Sequence, residues 1–596
     1  LNARSIRAWP ALAAVVLAVL LPCAAHAAQP DAQEAKKLHA LFDAQWEADA
    51  KAYPEDSTER GDFRYNDQLT DMSPAGIEAR DAQDRAFLAQ AQAIARDRLG
   101  EQDRISLDLF IEILGFRVDK QAFAGYRSMR IRSLGGAQTL LAGLMREVPM
   151  DTAAHARQLL ARLNAYPRRM DEEIALMRRG IALGWVPSRD VLQRALRMID
   201  DQLQGPVESE PHFLPFNRIG AQVPAAERDA LRAAGKQAVE TQVLPSLRKL
   251  RAFIVNEYLP AAPQDGSLTH YPGGDRVYAY LARVGTTTSL APRQIHEMGL
   301  RELAAVRAEM EAIMKQVGFN GSFAAFTHEL YANPKYINPS PEAQLAMYRD
   351  IGKRADAELP RFFAELPRLT YGVRAMPDYV GPDAAEYYDP PAVDGTRAGY
   401  FNANARGYRT RPKWTMASLL AHEAVPGHHL QFARAWELKD LPLFQRTYEW
   451  NAYSEGWAVY AETVGREMGL YDDPYTLFGH LQARAFRATR LVVDTGIHAF
   501  GWPRQKAIDF MVDQTGLDAN FVSSEVDRYT SGGGQALGYM VGALKIKELR
   551  ERAKARLGDK FDLRRFHNAV LDNGSLPLDV LERLVDEWIA REAASH

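Results

Sequence analysis

HEAVPGHH, His422 to His429, is the stretch on which the reading of this chain turns. It opens as a zinc-peptidase helix opens, with His-Glu, and it closes on two histidines. In the usual His-Glu-x-x-His helix the imidazoles are four residues apart, so about 400° of rotation and about 6 Å of rise bring both rings to one face. Here the candidates stand six and seven residues after His422. On an undistorted helix His428 would point about 240° away, and His429 would point the right way but sit about 10 Å further along the axis. A straight helix makes a site from neither. The sequence also supplies a distortion. Pro426 has no N–H for the carbonyl of His422 and its ring clashes with that carbonyl, while Gly427 can take backbone angles closed to other residues. The helix must bulge or break there, and a two-residue bulge at Pro426-Gly427 would return His428 to the place of a second ligand.

A catalytic zinc site keeps one position open and takes three protein ligands, two His and a Glu in one common set. Working outward, the next helical segment, roughly Leu443 to Met468, carries YSEGWAVYAE, Tyr453 to Glu462. Glu455 and Glu462 fall on one face of it, and Gly456 leaves room for another helix to approach. Glu455 is the expected third ligand, and Glu462 the expected acceptor for the second ring N–H of a ligand histidine. Trp450, Tyr453, Trp457 and Tyr460 make the segment too apolar to face water, and a carboxylate buried among them needs a partner. The competing reading is a broken helix with incidental histidines. His296-Glu297 and His328-Glu329 show that the dipeptide also occurs with no second histidine close behind it.

Around this centre the chain reads as mainly α. Apolar residues recur at three- and four-residue intervals over Ala79 to Leu99, Ala153 to Leu183, Arg228 to Tyr258, Pro292 to Val317, Pro341 to Leu366 and nearly everything from Thr415 onward. The interruption is Leu369 to Pro412, where YYDPP, DGTRAG and the alternating GYFNANA (Gly399 to Ala405) predict loops and one or two short strands: a small β element before the histidine helix. Residues 28–596 form one expected helical domain, with a lobe boundary placed near Pro260 to Pro272.

The totals exclude several classes. A hydrophobic content of 47% over 596 residues is ample for a large core. A formal net charge of -3 offers no basic excess for nucleic acid. Arg4 and Arg7, the apolar run Ala11 to Leu21 and the small residues Ala25-His26-Ala27 read as a signal peptide over residues 1–27, hence a periplasmic or secreted protein. No later run reaches the roughly 18 to 20 apolar residues of a span, so no membrane insertion is expected. Leu20-Leu21-Pro22-Cys23 matches a lipoprotein signal poorly because proline stands directly before the cysteine, and no lipid anchor is expected. Cys23 is the sole cysteine, so after cleavage at Ala27 any metal must be held by His, Asp or Glu.

HEAVPGHHLQ and YSEGWAVYAE, together with TTTSLAPRQIHEMGLREL (Thr286 to Leu303), DGTRAGYFNAN (Asp394 to Asn404), RLVVDTGIHAFGW (Arg490 to Trp502) and EVDRYTSGGGQALGYMVG (Glu525 to Gly542), resemble the bacterial family called domain of unknown function 885. The resemblance implies a large helical gluzincin fold like that of angiotensin-converting enzyme and the oligopeptidases, with one Zn²⁺. It favours His428 over His429, giving His422, His428 and Glu455 as ligands and Glu423 as general base. By analogy with helical gluzincins, Tyr539 is the donor to the tetrahedral oxyanion, with His498 second. Arg528 is the candidate partner for a substrate carboxylate, which points to a carboxypeptidase or dipeptidase of short peptides. Gln535 lies in a turn where the family shows Pro-Gly and this chain has Gly533-Gly534. Gln535 and Tyr400, the latter on a strand expected to lie at a sheet edge and pair with an extended peptide, complete the expected substrate contacts. The alternatives are a zinc hydrolase of a non-peptide amide or ester and a non-catalytic helical periplasmic binding protein.

Overall fold

The computed structural model describes residues 31–376, 384–392 and 395–595. The expected signal peptide, Cys23 and Asp394 lie outside the described residues. The chain is mainly α with one small sheet, and among the described residues no helix is long and apolar enough to cross a membrane.

Six helices of the C-terminal half matter for the site: α1 (Lys413–Glu423), α2 (His428–Glu437), α3 (Asn451–Glu467), α4 (Pro474–Phe500), α5 (Ala519–Ser531) and α6 (Leu537–Leu557). The longest, α4, starts where the Asp473 carboxylate accepts the N–H groups of Tyr475 and Thr476, with Pro474 in the first turn. It stops at Gly501, whose φ of 63° is a left-handed cap suited to glycine. Between those ends it is buried almost without interruption from Phe478 to His498, so its polar side chains, Arg487, Arg490 and Asp494 among them, need partners inside the fold. Helices α3 and α6 cross at Gly456 and Gly542. A Cβ at Gly456 would come within 2.5 Å of the Gly542 backbone, and one at Gly542 within 1.8 Å of the Ala452 carbonyl oxygen. The backbones touch because neither residue has a side chain.

The sheet has the order β1-β3-β2, formed by β1 (Tyr371–Ala375), β2 (Tyr387–Asp389) and β3 (Gly399–Ala403). Strand β3 runs parallel to β1, with Tyr371 opposite Gly399, and antiparallel to β2, with Tyr387 opposite Asn402. This corrects the expectation for Tyr400: its strand is the centre of the sheet, so it offers no free edge to a peptide. The physical reason is burial. Phe401 and Ala403 pack against Tyr348, Met416 and Leu420, and the strand with the most apolar surface takes the covered position. The Tyr400 ring instead carries the Arg374 guanidinium at 4.2 Å.

Apolar packing falls into separate clusters. One cluster gathers Leu69 with residues from Ile131 to Tyr258, and Ala262 lies at its margin. The N-terminal helices Ala32–Ala52 and Glu101–Lys120 do not join it. Their Leu38, Phe42, Phe110 and Leu114 belong to the main core, where the rings of Phe42, Phe110 and Phe444 meet at 4.8 to 5.2 Å. The middle of the chain therefore has its own core, flanked in sequence by two parts of another.

The glycine crossing gives a test. Gly456→Val should force α3 from α6 at an overpacking cost of about 1–3 kcal/mol, seen as a lowered midpoint in calorimetry. Gly115→Ala, a helical position with nothing within 4 Å of the added carbon, should leave the midpoint unchanged or raise it.

Candidate metal centre

The structure resolves the spacing in HEAVPGHH as a break, not a bulge inside one helix. Helix α1 ends at Glu423, with the Ala424 N–H on the Leu420 carbonyl at 2.8 Å, and α2 begins at His428. The turn folds back on the end of α1: a Cβ on Gly427 would lie 2.0 Å from the His422 carbonyl oxygen and 2.4 Å from that of Ala421. Only glycine fits there. The Pro426 carbonyl accepts the indole N–H of Trp457, from α3, at 2.9 Å.

This reversal sets the His422 and His428 rings nearly perpendicular, 86° apart, with centroids at 4.9 Å. Their Nε2 atoms lie 3.5 and 3.4 Å from one oxygen, Glu455 Oε2, and the three ligand atoms fall within 4.8 Å of one another. Ligands about 2.0–2.2 Å from a tetrahedral ion are about 3.3–3.5 Å from each other, so the two measured approaches have the length of a coordination edge. They are too long and misdirected for hydrogen bonds, and Glu455 Oε2 is buried with no hydrogen-bond partner. A buried carboxylate oxygen left so is costly unless a cation is shared. The His₂Glu donor set, all nitrogen and oxygen, fits Zn²⁺.

The surroundings fix protonation. His422 Nδ1 is 2.8 Å from Glu462 Oε1, and Glu462 Oε2 accepts the Ser418 hydroxyl at 2.7 Å. Burial opposes ionisation of Glu462, but the nearby Arg487 and the bond from His422 override it and hold the carboxyl down at about 2. The proton of His422 therefore stays on Nδ1 and its Nε2 lone pair faces the cluster. Glu423, the last residue of α1, is buried beside His428 and Glu455. Burial pushes its carboxyl up to about 8, with His428 opposing and Glu455 reinforcing.

His429 lies outside this cluster. Its Nδ1 is 2.7 Å from the Tyr388 hydroxyl and its Nε2 3.1 Å from the Leu369 carbonyl oxygen, and burial lowers its pKa to about 4. It is a neutral strut between α2 and the sheet region.

Tyr539, in the first turn of α6, stacks parallel to His422, 8° between planes and 6.2 Å between centroids. Burial, reinforced by the Glu455 charge, pushes its phenol up to about 12, so it remains a donor at neutral pH. The turn before it is held by Asp494, whose two carboxylate oxygens each accept the Gly534 N–H at 3.1 Å. Over the ring sits the Arg490 guanidinium, 4.2 Å from its centroid, anchored by Glu525 and the Tyr529 hydroxyl at 3.0 Å each. Arg490 and Arg487 are residues that the sequence reading passed over. The available signal was two arginines three apart inside the apolar stripe of α4.

Two further expectations are corrected. His498 is not at the cluster: its Nδ1 accepts the Leu268 N–H at 3.2 Å and its Nε2 donates to the Tyr529 carbonyl at 3.0 Å, so the ring braces backbone. Arg528 has no free fork. Its Nε and Nη2 hold Glu525 at 3.2 and 2.9 Å, and Nη1 donates to Gln535 Oε1 at 2.7 Å. Gln535 in turn donates to Asn451 Oδ1 at 2.9 Å. The two side chains tie the Tyr539 turn to the start of α3, because Glu525 already fills the bidentate position that a substrate carboxylate would need.

No curated protein matches the chain. Among solved structures, one described as "the putative lipoprotein from Colwellia psychrerythraea" aligns with a TM-score of 0.89 at 28% identity, over 94% of this chain and 99% of that one. A second, "a putative lipoprotein of unknown function from Shewanella oneidensis", aligns with a TM-score of 0.71 at 19% identity, over 93% of this chain and 100% of that one, a likeness of fold. The family described as "Bacterial protein of unknown function (DUF885)" matches residues 54–585. With nearly its whole length matched, the chain belongs to the bacterial family DUF885.

Proposed function

We propose that this protein is an exported zinc-dependent peptidase of short peptides. The observation that supports it most is the convergence of His422 Nε2, His428 Nε2 and Glu455 Oε2 at coordination-edge spacing, with Glu423 adjoining. A zinc ion on these three groups would supply Lewis acidity and lower the pKa of a water to about 7. Glu423 takes the proton of the attacking water and hands it to the leaving amine. Tyr539 donates a hydrogen bond to the carbonyl oxygen as charge develops on it. Glu462 keeps His422 in the ligating tautomer, and Arg490 keeps the Tyr539 ring in place. The same groups serve another amide or an ester equally well; the choice of a peptide rests on the resemblance to gluzincins. Export is supported by the signal-like residues 1–27 and by the description of both related structures as lipoproteins.

Elemental analysis should find about one zinc per chain, lost in His422→Ala and His428→Ala and retained in His429→Ala. Zinc that survives both ligand substitutions would remove the proposal. A peptide-library digest should stop on addition of a chelator and resume with zinc. Glu423→Gln should keep the metal while hydrolysis falls about 10²–10⁴-fold; full activity in that variant contradicts the assigned base. In Tyr539→Phe, steady-state kinetics should show kcat lowered about 10²–10³-fold with KM little changed.

A further inference from the structure

Five arginines are buried among the described residues. Four of them are bonded: Arg162 reaches the Gln68 carbonyl, Arg169 Glu173, Arg490 Glu525 and Arg550 Glu467, at 2.7 to 3.0 Å. The fifth, Arg487 on α4, makes no hydrogen bond to a described residue. Its Nε is buried without a partner, and Glu462 Oε1, the carboxylate oxygen within ion-pairing reach, is 3.6 Å from Nη2, too far for a hydrogen bond. A guanidinium that has lost its water without gaining acceptors is a costly arrangement unless something bound completes it.

Arg487 stands at the edge of the metal centre. Glu462 Oε1 is also the oxygen 2.8 Å from His422 Nδ1. Arg487 Nη2 and that imidazole are therefore separated by no more than the two contacts together, about the span of two extended residues. The Tyr539 ring, stacked beside His422, lies 5.8 Å from the same guanidinium, and the Arg487 charge reaches Glu423. The group is also open where its carboxylate neighbour is shut. Arg487 keeps 10% of its side-chain surface exposed against 1% for Glu462, and the ligand candidates His428 and Glu455 keep 10% and 13%. An anion from solution can thus meet the guanidinium on a side that Glu462 does not cover. A planar fork of N–H donors matches a carboxylate, and the fork of Arg528 is already filled by Glu525.

We propose that Arg487 binds the C-terminal carboxylate of the substrate peptide and so sets the bond at the metal centre one or two residues from the chain end. The peptide nature of the ligand rests on the proposed peptidase function; the carboxylate site itself rests on the unbonded guanidinium and its place beside His422.

Fluorescence anisotropy on the full zinc-loaded chain carrying Glu423→Gln measures binding without turnover. Three probes are compared, all N-terminally fluorescein-labelled: penta-alanine as free acid, penta-alanine amide, and the amide with glutamate at the central position. The free acid should bind about tenfold tighter than the plain amide. Arg487→Gln should erase that difference, and Arg487→Lys, which keeps the charge without the fork, should retain part of it. Equal binding of free acid and plain amide before any change at Arg487 overturns the assignment, so the proposal stays falsifiable even where an Arg487 variant fails to fold. A preference that survives Arg487→Gln while both peptides weaken alike also overturns it, because support of Glu462 would then be the whole role of the residue. Tighter binding of the glutamate amide than of the free acid removes the terminal carboxylate as the ligand. A protein that shows the preference and hydrolyses nothing keeps the Arg487 assignment and loses the peptidase reading. An active peptidase without the preference does the reverse.

Discussion

The close contact of Gly427 with the carbonyl end of α1 is the constraint on which the site depends. A side chain there would strike the His422 and Ala421 oxygens, the turn would open, and His428 would leave the neighbourhood of His422. The Pro-Gly pair both ends one helix and starts the next within five residues, so two histidines too far apart for one helical face still converge. The Trp457 indole on the Pro426 carbonyl joins this turn to the helix that carries Glu455. All three metal-ligand candidates are therefore positioned by one backbone reversal and one side-chain hydrogen bond.

Around that point the buried charges are arranged in pairs that aim the working groups. Glu462 is shared by His422, Ser418 and the nearby Arg487, and Glu525 by Arg490, Arg528 and Tyr529. Buried charges of this kind add little net stability, because desolvation offsets their attraction, but they hold geometry. Here the geometry held is the tautomer of His422 and the plane of the Tyr539 ring. The glycine crossing of α3 and α6 serves the same end, bringing the Glu455 helix and the Tyr539 helix to backbone contact.

The packing of the N-terminal helices links the metal centre to the rest of the chain. Phe42 and Phe110 meet Phe444 just upstream of α3, so helices remote in sequence, together with Thr447 to Glu449, line a cleft of about 1540 Å³. The separate core of residues 131–258 forms the other side. The cleft thus lies where two cores meet, and no single segment encodes it.

The sequence by itself determined the helical class, a distortion at Pro426-Gly427, the close approach at Gly456 and the shared helix face of Glu455 and Glu462, because each follows from local backbone rules or helical periodicity; the preference for His428 over His429 came from the resemblance to a family, and that the distortion is a break came from the structure. Only the tertiary structure decided how His428 and His429 differ in partners, that β3 is central, that His498 and Arg528 are already engaged, and that Arg490 lies over the Tyr539 ring. Those outcomes depend on which atoms from distant segments fill each hydrogen-bonding position. Leu268 and Tyr529 claim the two nitrogens of His498, Glu525 claims the fork of Arg528, and Tyr388 with Leu369 claims both nitrogens of His429. Spacing along a chain specifies where a side chain can point, but the competitor that reaches it first comes from elsewhere in the fold.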